Sequence, residues 1–177
     1  MRKYNDDKYE TASILGSFNK HYELICRTAE YFQKNGIKVL APDITSIKEN
    51  NDGYAILESD QSDDSTVLEA KFLENCLKSD FVYVCDLDGY IGKTVMLELG
   101  FMLGKGQEVF FMETPAQERL IKEMTQKKPI VYTPKDLVRM IKRCNEFSWV
   151  DFAGNDLFDR LDKPVPDFKL PDGKGER

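Results

Sequence analysis

Five consecutive residues, Phe81-Val82-Tyr83-Val84-Cys85, leave no position that prefers water. A strand with one wet face alternates polar and apolar side chains, so an unbroken apolar run rich in β-branched and aromatic residues belongs in the middle of a sheet covered on both faces. Helices supply that cover when they connect parallel strands, so this segment predicts a layered α/β domain.

The flanking sequence supplies the remaining layers. Residues 11–18, Thr-Ala-Ser-Ile-Leu-Gly-Ser-Phe, read as a buried strand ending at a turn, with Asn19 able to cap the next helix. Leu24, Ile25, Ala29, Tyr31 and Phe32 follow helical spacing until Asn35-Gly36 stops them. Ile37–Leu40 is a second strand, closed by Pro42. Residues 43–63 are rich in Asp, Asn, Ser and Glu, with little periodicity apart from Tyr54-Ala55-Ile56-Leu57, and read as a surface insertion. Ser62 or Asp63 can cap a helix over about 64–78. After the central strand, a helix over about 93–105, a strand at Val109–Met112, a helix at 115–126, a strand at Pro129–Tyr132 and a helix from Pro134 to Cys144 complete the alternation. The expected fold is a doubly wound, Rossmann-like α/β/α domain, its five parallel strands in the flavodoxin-like order 2-1-3-4-5.

This domain is expected to span 11–145, after a polar segment at 1–10 and before an extension at 146–177. The extension carries Trp149, Phe152, Leu157, Phe158 and Leu161, and its last ten or so residues are expected to be disordered. A net charge of −6 argues against a nucleic-acid polymer as partner. Cys26, Cys76, Cys85 and Cys144 are scattered without a Cys-x-x-Cys pair, as expected of reduced thiols rather than disulfides or a metal site. No apolar run approaches membrane-spanning length. These features together predict a soluble, cytoplasmic protein without metal or cofactor.

Ligands of doubly wound sheets bind beyond the carboxyl ends of the strands, where the strand order reverses. In the order above, that crevice is flanked by Gly16, Ser17, Phe18 and Asn19 on one side and by Asp86, Asp88, Gly89 and Gly92 on the other. Between Lys93 and Lys105 the helix is apolar almost all round, and Glu98 is its one charge. A buried carboxylate has to be paired, protonated or turned into a cleft, which makes Glu98 the leading candidate for chemistry. Gly92-Lys93-Thr94 is not a Walker phosphate loop, because that motif needs glycine where Leu87 stands. Gly89 and Gly92 still allow close backbone approach at a helix start, where an anion can sit. Tyr83 and Tyr90 are candidates for stacking on a base, while His21 reads as a surface or capping residue.

Two segments carry a family resemblance. They are Ser13-Ile14-Leu15-Gly16-Ser17-Phe18, and Asp80-Phe81-Val82-Tyr83-Val84-Cys85-Asp86 leading through a glycine loop to Glu98-Leu99-Gly100-Phe101. In these the chain resembles the nucleoside 2-deoxyribosyltransferases and the related deoxynucleoside 5′-monophosphate N-glycosidases, over about residues 11–132. The resemblance implies that Glu98 is a nucleophile that displaces the base from the sugar, with Asp86 or Asp88 as the acid. It implies that Gly16, Ser17 and the 89–94 loop, with Tyr90, hold the sugar's 5′ end, and Lys93-Thr94 suit a 5′-phosphate. It also implies a homo-oligomer in which a neighbouring subunit completes the site, for which the aromatic-rich 147–161 segment is a candidate. The expected partner is a small nucleoside or nucleotide. A non-catalytic nucleotide-sensing module and an NAD glycohydrolase are the alternatives.

Overall fold

The chain runs β1 (Thr11–Gly16), α1 (Phe18–Lys34), β2 (Lys38–Ala41), β3 (Ile47–Asn51), β4 (Tyr54–Leu57), α2 (Ser65–Lys78), β5 (Phe81–Cys85), α3 (Lys93–Gly104), β6 (Val109–Phe111), α4 (Glu118–Thr125), β7 (Ile130–Val131) and α5 (Pro134–Glu146). The computed structural model describes residues 9–43, 47–51, 54–57, 62 and 64–146. The segment 1–8, the proposed cap Asp63 and the aromatic-rich extension from 147 onward lie outside the described residues.

The main sheet has five parallel strands in the order β2-β1-β5-β6-β7. Numbered among themselves, these strands follow the 2-1-3-4-5 order expected of a doubly wound fold. β1 and β5 lie in register from Ala12–Phe81 to Gly16–Cys85. Asp80 fixes that register from the amino end: its Oδ2 accepts hydrogen bonds from the Glu10 and Thr11 amides and from the Thr11 hydroxyl, at 2.9, 2.7 and 2.8 Å.

Alternation along the strands divides the interior in two. Ala12, Ile14, Phe81, Tyr83, Cys85, Phe110 and Met112 face α1 and α5, where Ile25, Ala29, Phe32, Leu137, Val138 and Ile141 meet them. Leu15, Val82, Val84, Val109 and Phe111 face the other way, onto Cys76 of α2, Val95, Leu99 and Met102 of α3 and Ile121 of α4. Burying each of the large side chains stabilises the fold by about 1.5–3 kcal/mol before entropy is counted. β5 is buried at every residue, as its composition demanded.

Several local features depart from the sequence reading. The insertion at 43–63 contains an antiparallel hairpin, β3–β4, with Asn51 opposite Tyr54. The joining pair Asp52-Gly53 is a strong tight-turn signal, but the polar strand Ile-Lys-Glu-Asn-Asn carries no amphipathic pattern to advertise it. Helix α2 is capped by Asp64, whose carboxylate accepts from the Thr66 amide at 2.8 Å, while Ser62 Oγ accepts from the Asp64 amide. Helix α1 begins at Phe18, with Ser17 rather than Asn19 at the cap position, and bends where His21 leaves helical geometry. Helix α3 is not covered all round. The sheet takes only its Val95–Leu99–Met102 side, leaving Leu97 77% and Phe101 40% exposed.

Gly89 has φ +69°, and a Cβ there would lie 2.6 Å from the Thr114 carbonyl oxygen. Gly89→Ala should therefore cost about 1–3 kcal/mol in urea unfolding. Gly104→Ala, where a Cβ would meet nothing within 4 Å, should be neutral or slightly stabilising.

Candidate functional site

The close approach of α1 to the sheet begins the site. At Gly16 an added Cβ would lie 2.8 Å from Ile25 Cδ1 and 3.3 Å from Cys85 Cβ, so glycine is what lets the helix start directly over the strand ends. Beside it opens a cleft of ≈ 630 Å³, walled by the end of β1, the length of β2, the first turns of α1 and α3, Gln33 near the end of α1, and one flank of α2. Its size lies within the roughly 300–1,000 Å³ typical of small-molecule sites.

The structure brings most of the sequence-derived candidates together here. Gly16, Ser17, Phe18, Asn19, Tyr90, Gly92, Lys93, Thr94 and Glu98 all line the cleft. Tyr90 is held over its edge by Lys20, whose Nζ lies 3.5 Å from the ring centroid, and by the edge of the His21 ring. His21 Nδ1 in turn lies 3.3 Å from the Cys85 carbonyl oxygen, so this histidine ties α1 to the end of β5. Helices α1 and α3 both start at the cleft, without a side-chain cap bond and without an acidic residue in their first turns. Their free amides and dipoles favour an anion between them.

Asp86, Asp88 and Gly89 do not line the cleft. They brace the loop that delivers α3. Asp86 is fully buried, and its Oδ1 accepts from the Met112 and Glu113 amides at 2.9 and 3.0 Å. Burial raises its pKa to about 6 against the pull of those amides. Asp88 adopts φ +57° in a short 3-10 turn at Leu87–Gly89, and its amide donates to Glu113 Oε2 at 3.0 Å. Tyr83 is a packing residue, fully buried with its hydroxyl donating to the Tyr132 carbonyl at 2.8 Å.

The carboxyl that meets Glu98 is instead Glu69, on α2. Burial, reinforced by the charge of Glu69 and the hydrogen bond to it, raises the Glu98 pKa to about 8. The pKa of Glu69 is also raised by burial, while the same hydrogen bond lowers it. A hydrogen bond between two carboxyls requires a proton on one of them, and these shifts put it on Glu98 near neutrality. Just beneath, the Cys76 thiol is pushed up to about 12 by burial, with Glu98 and Glu69 adding to the effect. The sequence held a signal for Glu69: it stands three and seven residues before Phe72 and Cys76, on the inward stripe of α2.

No group of three or more His, Cys, Asp or Glu side chains that could hold a metal occurs among the described residues. Among the same residues, no helix is long and apolar enough to cross a membrane.

No family model matches the chain, and no curated protein matches it. Among solved structures it is similar to a conserved protein from Enterococcus faecalis V583, at 16% identity and a TM-score of 0.54, over 76% of this chain and 98% of that one. At this identity the likeness is one of fold, the doubly wound α/β class.

A proton held by Glu98 with a folded-state pKa of about 8, against 4.5 ordinarily, ties stability to pH. Between those values the folded chain keeps a proton that the unfolded chain has released, so stability falls as pH rises through the window. Comparing about pH 6.5 with about pH 8.5 avoids the contribution of Asp86. Urea unfolding should show the wild type losing about 1–3 kcal/mol over that interval, after allowance for screening at the cleft mouth, and Glu98→Gln losing markedly less.

Proposed function

We propose that this protein cleaves or exchanges the N-glycosidic bond of a nucleoside or nucleoside 5′-monophosphate, with Glu98 as nucleophile. The observation that carries the reading is that Glu98 and Glu69, from neighbouring helices, both line a cleft at the switch point of the sheet, where burial raises the pKa of each. Such a pair can supply one proton and one attacking oxygen at the same place.

In this reading the sugar's 5′ side lies against the first turns of α1 and α3, where Ser17, Lys93 and Thr94 take its hydroxyl or phosphate. Glu69 takes up the shared proton from Glu98 and gives it to the departing base, leaving both carboxyls ionised. A Glu98 oxygen attacks C1′, and the C1′–N bond breaks with its electron pair going to the base nitrogen, which the proton neutralises. Glu69, now a carboxylate, then takes a proton from water or from the N–H of a second base. That nucleophile bonds to C1′, releases Glu98 and restores the pair with one proton. Two displacements at C1′ retain its configuration. Asp86 and Asp88, the acid candidates that the family resemblance implies, do not line the cleft, and Asp86 Oδ1 accepts from two backbone amides; Glu69 is the better placed acid.

Glu98→Ala should lower base release from a panel of nucleosides and nucleotides by at least about a thousandfold, with circular dichroism unchanged; Glu69→Gln should lower it by roughly 10²–10⁴-fold. Full activity in Glu98→Ala would overturn the assignment. Binding without release across the panel would favour a sensing module. For the phosphate, Lys93→Ala with Thr94→Ala should weaken a 5′-monophosphate about tenfold while leaving the matching nucleoside unchanged. Calorimetric titration of both ligands measures this.

A further inference from the structure

The cleft continues past the carboxyl pair, and its far end has a chemistry of its own. β2 is an outer strand of the sheet, and α2 lies alongside it. The lining passes around one flank of α2 from Glu69 through Phe72 and Leu68 to Asn75 and Lys71. At 100° per residue these five positions form one continuous arc of the helix, and Asn75 stands about 9 Å further along it than Glu69. On the opposite wall the lining follows β2 back from Ala41 to Lys38, about 10 Å toward the strand's amino end. The result is a slot between β2 and α2, with Phe72 and Leu68 lining its helix side and Leu40 its strand side, whose lining also includes Lys38, Lys71, Asn75 and Gln33 of the last turn of α1.

The charges along the cleft are segregated. Lys93 stands at the end formed by the helix starts, Glu69 and Glu98 in the middle, and Lys38 and Lys71 at the far end, with Asp43 at the end of β2. Among the described residues Lys38, Lys71 and Lys93 form no ion pair, and the Asn75 side chain makes no hydrogen bond. If the glycosidic bond sits at the carboxyl pair with the sugar's 5′ side toward α3, the base enters the slot with its flat faces against the apolar walls. Its outer edge then meets the two ammonium groups and the Asn75 carboxamide.

We propose that Lys38 and Lys71, with the Asn75 carboxamide, form a second anion subsite that selects a base carrying negative charge, either as a carboxylate substituent or as an ionised ring. The proposal rests on the glycosidic reading of Glu98 and Glu69, which orients the ligand. A base that leaves with the electron pair of the C1′–N bond is stabilised by the same two ammonium groups, so the subsite would favour departure as well as binding.

Two ligand pairs test this on the full chain by calorimetric titration. Orotidine 5′-monophosphate against uridine 5′-monophosphate isolates a base carboxylate, and xanthosine 5′-monophosphate against inosine 5′-monophosphate isolates an ionised ring. The expected result is about tenfold tighter binding of the anionic member in at least one pair, abolished in a Lys38→Ala/Lys71→Ala variant. Equal affinity within both pairs, or a preference that survives in the double variant, overturns the subsite. Chromatography of the same mixtures for free base keeps the two readings apart. Release without anionic preference sinks the subsite alone. A lysine-dependent preference without any release leaves the subsite standing as a binding site and removes the glycosidic reading.

Discussion

The pairing of β1 with β5 is the constraint on which the rest depends. Asp80 locks the two strands at their amino ends, and from there the register carries Gly16 and Cys85 to the same level at the carboxyl ends. Because the chain leaves β1 to one side and β5 to the other, the connections diverge and a crevice must open between them. Gly16 lets α1 start over that crevice, and the Asp86–Glu113 braces hold the loop that starts α3 beside it. The cleft thus follows from backbone geometry, before any side chain is assigned a chemical task.

Within the cleft, the two carboxyls settle their mutual repulsion by retaining a proton. A lone Glu98 in this position would face a desolvation cost of several kcal/mol; with Glu69 beside it, ionising both would be costlier still. Burial and the Glu69 charge both act to keep a proton on Glu98, the arrangement by which coupled carboxyls elsewhere divide acid and base roles. The neighbouring Cys76 thiol, held neutral by the same surroundings, leaves the two carboxyls as the reactive groups of this wall.

Much of the fold was legible because it rests on periodicity. The all-apolar β5, the helical spacing of α1 and the strand–helix alternation each follow from a face that must be buried; they suggested the strand order, which the sheet then showed. Glu98 was legible as a charge out of place in an apolar helix. What escaped notice has physical reasons. The β3–β4 hairpin pairs the apolar stretch Tyr54–Leu57 with the polar strand Ile47–Asn51, so the hydrophobic pattern marks only one of its two strands. Asp86 and Asp88 stand at a strand end beside the crevice, but whether a carboxylate turns into a cleft or back onto backbone amides depends on the β6 loop, which meets them only in three dimensions. Glu69 is one acidic residue among many in sequence, and only the packing of α2 on α3 singles it out.

The two interiors divide the labour unequally. Both members of the carboxyl pair come from α2 and α3, which share the core on one side of the sheet. The other side, built by α1 and α5, contributes only residues at the two ends of α1: Phe18 and Asn19 in its first turn and Gln33 in its last. The α1–α5 layer can therefore drift in sequence, trading one well-packed set of side chains for another, while the spacing of the two carboxyls is left alone. The α2–α3 layer has no such latitude, since any change in how those helices nest alters the distance between the two carboxyls.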